Sequence, residues 1–218
     1  MKEYINKVIH GDCLEVMKKL PDNCIDLVLT DPPYGLGDKL LIGGKKGTVV
    51  DFGKKYQNTN WSDEKPTQEL FNELFRVSKE QIIFGGNYFD LPPTRGIICW
   101  DKNIGTPHNF SHWEMGWTSY DVPAKKFVKT NDGNKQHPTQ KPLELMVWCL
   151  ENYLMKKWDK DRRPIVFDGF AGSGTTAVAC KKCGCDYILV EKEADYVEIC
   201  NKRLAQETLF NPVTRDTT

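Results

Sequence analysis

An acid, two prolines and a tyrosine follow one another directly in this chain, Asp31-Pro32-Pro33-Tyr34. The stretch comes after an apolar run, Ile25-Asp26-Leu27-Val28-Leu29-Thr30, that reads as a buried parallel strand. Consecutive prolines donate no backbone hydrogen bonds and hold the chain extended. The strand is therefore expected to end in a stiff loop whose carbonyl oxygens stay free, with a carboxylate at one end and an aromatic ring at the other. Such a loop can accept hydrogen bonds from an amino group while the ring stacks on the flat molecule that carries it. Those are the requirements for holding a nucleobase.

A second constellation lies far downstream. Ile165-Val166-Phe167-Asp168 reads as a strand that runs into Gly169-Phe170-Ala171-Gly172-Ser173-Gly174-Thr175-Thr176 and then a helix. Glycines let a backbone turn sharply and approach a ligand closely. A phosphate-binding P-loop, GxxxxGK[ST], would need a lysine after the last glycine. Gly169 and Gly174 have the spacing, but Thr175 takes the lysine's place, which argues against an ATPase. A dinucleotide fingerprint fits Gly172, Gly174 and Ala177, with Glu191 placed to accept ribose hydroxyls. That pattern is frequent by chance, and a plain strand-to-helix turn would also satisfy it. The common denominator is a nucleoside-type ligand. Glu191 would repel a ribose-linked phosphate and suits a free diol, and the acids nearby suit a cationic nucleoside. S-adenosylmethionine has those properties.

These loops need a scaffold. Seven strands are predicted, at Val8–His10, Ile25–Thr30, Gln81–Gly85, Gly96–Trp100, Trp113–Ser119, Ile165–Asp168 and Tyr187–Val190. Helical periodicity predicts helices over Cys13–Leu20, Thr67–Ser78, Leu143–Leu154, Thr175–Lys182 and Ala194–Ala205. Strands alternating with helices imply an α/β sheet covered on both faces. Gly96–Trp100 and Trp113–Ser119 have no helix between them and are expected to form an antiparallel pair at one edge. The 218 residues suit one domain, expected over 1–210 with 211–218 a frayed tail.

Lysine plus arginine and aspartate plus glutamate both number 30, so net charge points to no polyanionic partner. The distribution is more telling. Residues 35–60 carry Lys39, Lys45, Lys46, Lys54 and Lys55 against two aspartates, and residues 121–141 carry Lys125, Lys126, Lys129, Lys135 and Lys141 against two, a balance of +3 each. Basic loops on a neutral body suit phosphate contact, although a solvated surface would look the same. The start has no apolar leader and no run of about 18 apolar residues follows, so a soluble, cytoplasmic protein without membrane contact is expected. Cys180, Cys183 and Cys185 cluster, but no second motif completes a four-ligand metal site.

Three segments together resemble the amino-group DNA methyltransferases of the circularly permuted β-class. They are Asp31-Pro32-Pro33-Tyr34 preceded by Gly11-Asp12-Cys13, then His137-Pro138-Thr139-Gln140-Lys141-Pro142, then Asp168 to Thr176 followed by Ile188-Leu189-Val190-Glu191. The resemblance is close over residues 4–35 and 135–205, with one departure at Gly169, where the family usually has proline. It implies a Rossmann-like class I methyltransferase fold in permuted order: a seven-stranded, mostly parallel sheet with one antiparallel edge strand and helices on both faces. It also implies roles. Asp168, Phe170, Ala171, Gly172, Gly174 and Thr175 would line the S-adenosylmethionine cleft, Glu191 would hold the ribose, and Asp12 and Cys13 would sit beside the adenine. Thr139, Gln140 and Lys141 would reach the methionine carboxylate, with His137 a backbone-orienting neighbour. Asp31, Pro32, Pro33 and Tyr34 would be catalytic.

The resemblance further implies double-stranded DNA as partner, with a homodimer left open, and an adenine flipped out of the duplex as target. Residues 35–62 would form a mobile loop over DNA and cofactor, with Lys45, Lys46, Lys54 and Lys55 on phosphate. Residues 101–136 would recognise the target, with Lys125, Lys126 and Lys129 on phosphate and His108, Asn109, Asn131 and Asn134 on base edges. Ser-Pro-Pro-Tyr is commoner for cytosine in this class, which favours adenine-N6 over cytosine-N4 chemistry. An RNA substrate is a further variant. No cysteine stands in the Pro-Cys setting that carbon-5 cytosine methylation uses. An oxidoreductase resting on Gly172, Gly174 and Ala177 would leave the first two segments unexplained.

Overall fold

Neighbouring residues of the apolar strands go to opposite sides of one sheet, as a two-residue period requires. Leu27, Leu29, Ile82, Phe84, Val166 and Leu189 enter one core, and Val28, Ile83, Phe167, Ile188 and Val190 enter the other. The computed structural model describes residues 1–36, 65–104, 111–130, 140–158 and 161–210. Among them eight strands form the sheet: β1 (Lys7–His10), β2 (Ile25–Thr30), β3 (Ser78–Phe84), β4 (Ile97–Asp101), β5 (Trp113–Thr118), β6 (Lys125–Val128), β7 (Ile165–Asp168) and β8 (Asp186–Glu191). Their order across the sheet is β1-β8-β7-β2-β3-β5-β4-β6. The helices are α1 (Cys13–Met17), α2 (Gln68–Val77), α3 (Leu143–Cys149, continued by a wide turn over Leu150–Leu154), α4 (Thr175–Cys183) and α5 (Ala194–Phe210).

Helices cover both faces. Leu70, Phe71, Leu74 and Val77 of α2 join α1 on one side, while α3, α4 and Cys200 and Leu204 of α5 pack on the other. Local chemistry fixes the helix ends. The Asp12 carboxylate accepts from Leu14 N and Glu15 N at the start of α1, Thr67 caps α2, and Gly184, at φ +72°, closes α4 in the left-handed region.

Two expectations change. The sheet has eight strands, because Lys125–Val128 pairs in parallel with β4 inside a stretch expected to be a loop. Its lysines hid the alternation, with Phe127 packed inward and Lys126 exposed, and charged side chains are what an edge strand carries. The antiparallel pair forms as expected, but its antiparallel member β5 is interior, bonded to β3 on one side and β4 on the other. The tail 211–218 and most of the 35–62 loop lie outside the described residues. No described helix is long and apolar enough to cross a membrane.

At the opposite end from the loops of interest, the buried Asp26 carboxylate clamps the sheet. It accepts from Arg162 Nη1 and Nη2 at 2.7 Å, Lys79 Nζ at 2.9 Å and the backbone N–H that opens β7, Ile165 N, at 2.9 Å. Both cations are half-exposed and can be rehydrated, whereas the Ile165 amide, in a partly buried residue, loses its acceptor. Asp26→Ala is therefore expected to cost about 1 kcal/mol, the low end of the penalty for an orphaned donor, read as a lowered midpoint in urea unfolding.

Candidate active site

β2 and β7 are parallel neighbours, yet the chain leaves them toward opposite faces, through α2 to β3 and through α4 to β8. A crevice opens where parallel strands diverge in this way. The loops after both strands meet there and line one cavity of about 490 Å³. Asp12, Cys13, Asp31, Pro33, Gln140, Lys141, Asp168, Phe170, Ala171, Gly172, Thr175 and Glu191 all contribute to its wall. Residues from three separate parts of the sequence are thus brought together. Pro32 is buried between Asp31 and Pro33 in the chain, Tyr34 stands beside Asp31, and Gly174 turns the loop at φ +79° where a Cβ would lie 2.3 Å from Cys200 Sγ.

The glycine loop is held from below. Asp168 accepts from Thr30 Oγ1 at 2.7 Å, Thr176 Oγ1 at 2.5 Å and Phe170 N at 3.0 Å. Burial outweighs these bonds and raises its carboxyl to about 6. Glu191 accepts from Gly172 N at 2.7 Å and Glu193 N at 2.9 Å, and burial raises it too. Arg203 of α5 reaches Ser173 O, Ser173 Oγ and Thr175 Oγ1, and Ser173 Oγ donates to Gln140 Oε1 at 2.9 Å. The Cys13 thiol is pushed by burial to about 12, so it lines the wall as a neutral group. At Gly169 a Cβ would meet Cys13 Cβ at 3.1 Å and Phe167 at 3.2 Å, so glycine fits tightly there.

The acid loop carries the charge. Asp31 Oδ1 accepts from the Tyr34 hydroxyl at 2.6 Å and Oδ2 from Lys141 Nζ at 2.5 Å. Lys141 Nζ also lies 3.0 Å from Glu114 Oε2, and Glu114 Oε1 is paired with Lys102 Nζ at 2.6 Å. Burial raises the Asp31 carboxyl, Lys141 partly offsets this, and Glu114 adds to the rise. Burial opposes the Lys141 charge, but Asp31 and Glu114 outweigh it and hold it above ordinary lysine. Burial likewise works against Glu114, yet Lys141 and Lys102 bring it down to about 2. Burial, then Asp31 and Glu114, keep Tyr34 a neutral phenol. Its ring stacks on Tyr88, with centroids 4.8 Å apart and planes 15° from parallel. Gly85, at φ +71°, leaves room for that ring: a Cβ there would lie 2.1 Å from Tyr34 Cε1.

Several expected residues have partners within the chain that their sequence reading did not include. The Lys141 ammonium, expected on a ligand carboxylate, is engaged by Asp31 and Glu114. Asp12 uses one oxygen to cap α1. Lys126 pairs with Asp101 at 2.6 Å, Lys129 with Glu144 at 2.9 Å, and Lys125 lies over the Tyr153 ring. His137, Thr139, Lys45, Lys46, Lys54, Lys55, His108, Asn109, Asn131 and Asn134 fall outside the described residues. Sequence reasoning passed over Glu114, Lys102, Tyr88 and Gly85. A signal existed for the first: Glu114 is the one acid in Trp113-Glu114-Met115-Gly116-Trp117, an otherwise apolar strand. No group of metal-ligating side chains is found among the described residues.

Comparison with known proteins agrees with this geometry. The N6_N4_Mtase family model, described as DNA methylase, matches residues 96–202. The type II methyltransferase M.HinfI of Haemophilus influenzae is 26% identical over 262 aligned residues, covering 94% of this chain and 70% of the relative. Among solved structures, the M1.HpyAVI–SAM complex is similar with a TM-score of 0.54 and 22% identity, covering 90% of this chain and 98% of that one. The cytosine-N4-specific PvuII DNA methyltransferase is similar with a TM-score of 0.57 and 14% identity, covering 97% and 87%. The fold is thus the α/β fold of class I DNA methyltransferases.

Asp168 also sets a pH dependence. Its folded pKa of about 6 stands above the ordinary 3.8, so the folded form keeps its proton longer than the unfolded form does. The stability it contributes is therefore greatest below about pH 4 and falls as pH rises to about 6. Asp168→Asn cannot lose a proton there. Wild type is expected to lose stability relative to that variant between pH 4 and pH 6, measured by urea unfolding of both proteins at each pH.

Proposed function

We propose that this homologue of the N6/N4 amino-group DNA methyltransferases moves the methyl group of S-adenosylmethionine to the exocyclic N6 of an adenine flipped out of DNA. The observation that carries the reading is that Asp31 and the glycine loop line the same cavity. A nucleobase amine on the acid and a nucleoside cofactor on the glycines would then be neighbours. The residues present fit S-adenosylmethionine: carboxylates of Asp12, Asp168 and Glu191 suit a cation and hydroxyl donors, and the backbone at Gly172 comes to the wall without a side chain. Glu191 and Asp12 would hold its nucleoside, with Phe170, Ala171, Gly172 and Thr175 along the cleft and Gln140 at the far end. When bound, it supplies a methyl already activated as a sulfonium.

The chain's own task is to make a poor nucleophile competent. The lone pair of an adenine amine is delocalised into the ring. The Asp31 carboxylate and the Pro32 carbonyl accept its N–H bonds and favour a pyramidal nitrogen with a localised lone pair. As positive charge grows on that nitrogen, acceptors aimed at it bind the transition state more tightly than the ground state. The amine must shed one proton once it carries the methyl, and Asp31 is the acceptor within reach. Tyr34 fixes Asp31 through its hydroxyl and offers its ring to the base. Extrusion of the base costs a few kcal/mol, which stacking and phosphate contacts from Lys125, Lys126 and Lys129 would offset. Aspartate at the head of the tetrapeptide supports adenine over cytosine.

Incubation with tritiated S-adenosylmethionine and duplex DNA is expected to label the DNA, and mass spectrometry of the digested product to find N6-methyl-2′-deoxyadenosine. N4-methyl-2′-deoxycytidine in its place would reassign the base, and label on RNA alone would reassign the substrate. Asp31→Ala is expected to lower turnover by roughly 10²-fold or more, the usual loss when one group stabilising the transition state is removed. Turnover at the wild-type rate would end the mechanism.

A further inference from the structure

The Lys141 ammonium competes for the carboxylate that the proposed reaction assigns to the substrate amine. It donates to Asp31 Oδ2 at 2.5 Å while Tyr34 takes Oδ1, so both oxygens of the proposed acceptor already carry a donor. Lys141 cannot simply retreat into water. Its side chain is only 5% exposed, and the rings of Tyr34, Phe84 and Trp100 surround the ammonium at 5.5 to 6.0 Å from their centroids. A buried ammonium that lost its carboxylate with nothing in exchange would cost several kcal/mol.

An exchange partner is in place. Glu114 Oε2 lies 3.0 Å from Lys141 Nζ, yet it is a buried acceptor with no hydrogen bond of proper geometry. The other Glu114 oxygen is anchored by Lys102 at 2.6 Å, which holds the open oxygen toward Lys141. On the reading under Proposed function, we infer that Glu114 and Lys102 are positioning residues: they form a second berth onto which the Lys141 ammonium shifts, clearing Asp31 for the incoming amine. The chain Lys102, Glu114, Lys141, Asp31 holds two cations and two anions wherever Lys141 rests, so the shift needs no outside counter-ion. Once there, Lys141 remains close enough to Asp31 to favour its carboxylate form.

The groups facing Asp31 come from every neighbouring element: Tyr34 from its own loop, Glu114 from β5, Lys102 from just beyond β4, Asp168 from β7 and Lys141 from the segment before α3. Among them, Glu114 and Lys102 should act in opposite senses. Without the Glu114 charge, Lys141 has Asp31 as its one close acid and stays on it. Without Lys102, Glu114 draws Lys141 away more fully.

The test uses Glu114→Gln and Lys102→Met in the full chain, with the Asp31 carboxyl titrated by ¹³C NMR and kcat followed against pH on duplex DNA. The Asp31 titration and the acid limb of kcat are expected to move down by about one pH unit in Glu114→Gln and up by a similar amount in Lys102→Met. Plateau kcat of Glu114→Gln is expected to fall roughly tenfold, or about 1.4 kcal/mol, with cofactor affinity by calorimetry unchanged in both. Loosened packing would move both variants the same way, and that result, or wild-type titration in both, would overturn the berth. Should Glu114→Gln fail to fold, the upward shift in Lys102→Met decides alone. Wild-type protein that transfers no methyl would sink the proposed function, while the NMR titration would still decide the berth.

Discussion

The hydrogen bond from Thr30 to Asp168 joins the ends of two strands that lie far apart in the chain and side by side in the sheet. Thr30 is the last residue of β2, one position before the acid loop. Asp168 is the last of β7, one position before the glycine loop. Fixing these two ends fixes the distance between a place for an amine and a place for a nucleoside. The same carboxylate takes the Phe170 amide and the Thr176 hydroxyl, so it sets both the entry and the exit of the glycine loop. Burying an acid in this way disfavours its charged form, and three donors on one group are what make it tolerable.

Chain topology supplies the rest of the geometry. β1 and β8, from opposite ends of the described chain, pair in parallel from Lys7↔Ile188 to His10↔Glu191. This register brings the Gly11-Asp12-Cys13 turn next to Glu191, and a Gly11 N–H to Glu191 O bond of 3.0 Å closes the corner. The sheet therefore assembles one cavity wall from residues near 12, 31, 140, 170 and 191. Order along the sequence has little bearing on this, because strand neighbours and crossover direction determine where each loop emerges. An acid loop that precedes the glycine loop in sequence can still stand beside it.

What could be read from the sequence follows from what is local. Continuous apolar runs identified most of the seven strands read from the sequence, since strands buried on both faces are nearly uniform in hydrophobicity. The two proline and glycine loops stood out because their residue types are rare and clustered. β6 escaped because two lysines out of four residues on an edge resemble a surface loop. The partner of Lys141 escaped for a different reason. A lysine 110 positions from Asp31 in sequence is a cation with no visible acid, so a ligand carboxylate looked like its natural mate. Only the fold shows that protein carboxylates already flank it. Gly85 and Tyr88 were hidden similarly, since a stacked ring and the glycine that makes room for it are contacts between loops.

The one antiparallel strand explains how Glu114 reaches the acid loop. In a parallel sheet the residues available at the ligand end are the last ones of each strand, and they belong to the loops that follow. A strand running the other way brings its first residues to that end. Glu114 is the second residue of β5 and lies across from Trp100, the next-to-last residue of β4. A strand position, paired with β4, thus presents a carboxylate at the level where the parallel strands have given way to loops. A group that must hold an ammonium within a fraction of an ångström benefits from that pairing. Lys102, one residue past β4, fixes the carboxylate from the adjoining strand, so the pair is set by the β4–β5 register itself. Inserting β5 between β3 and β4 is in this sense part of the site: it places a buried negative charge behind Lys141 that no loop of the parallel sheet could hold as firmly.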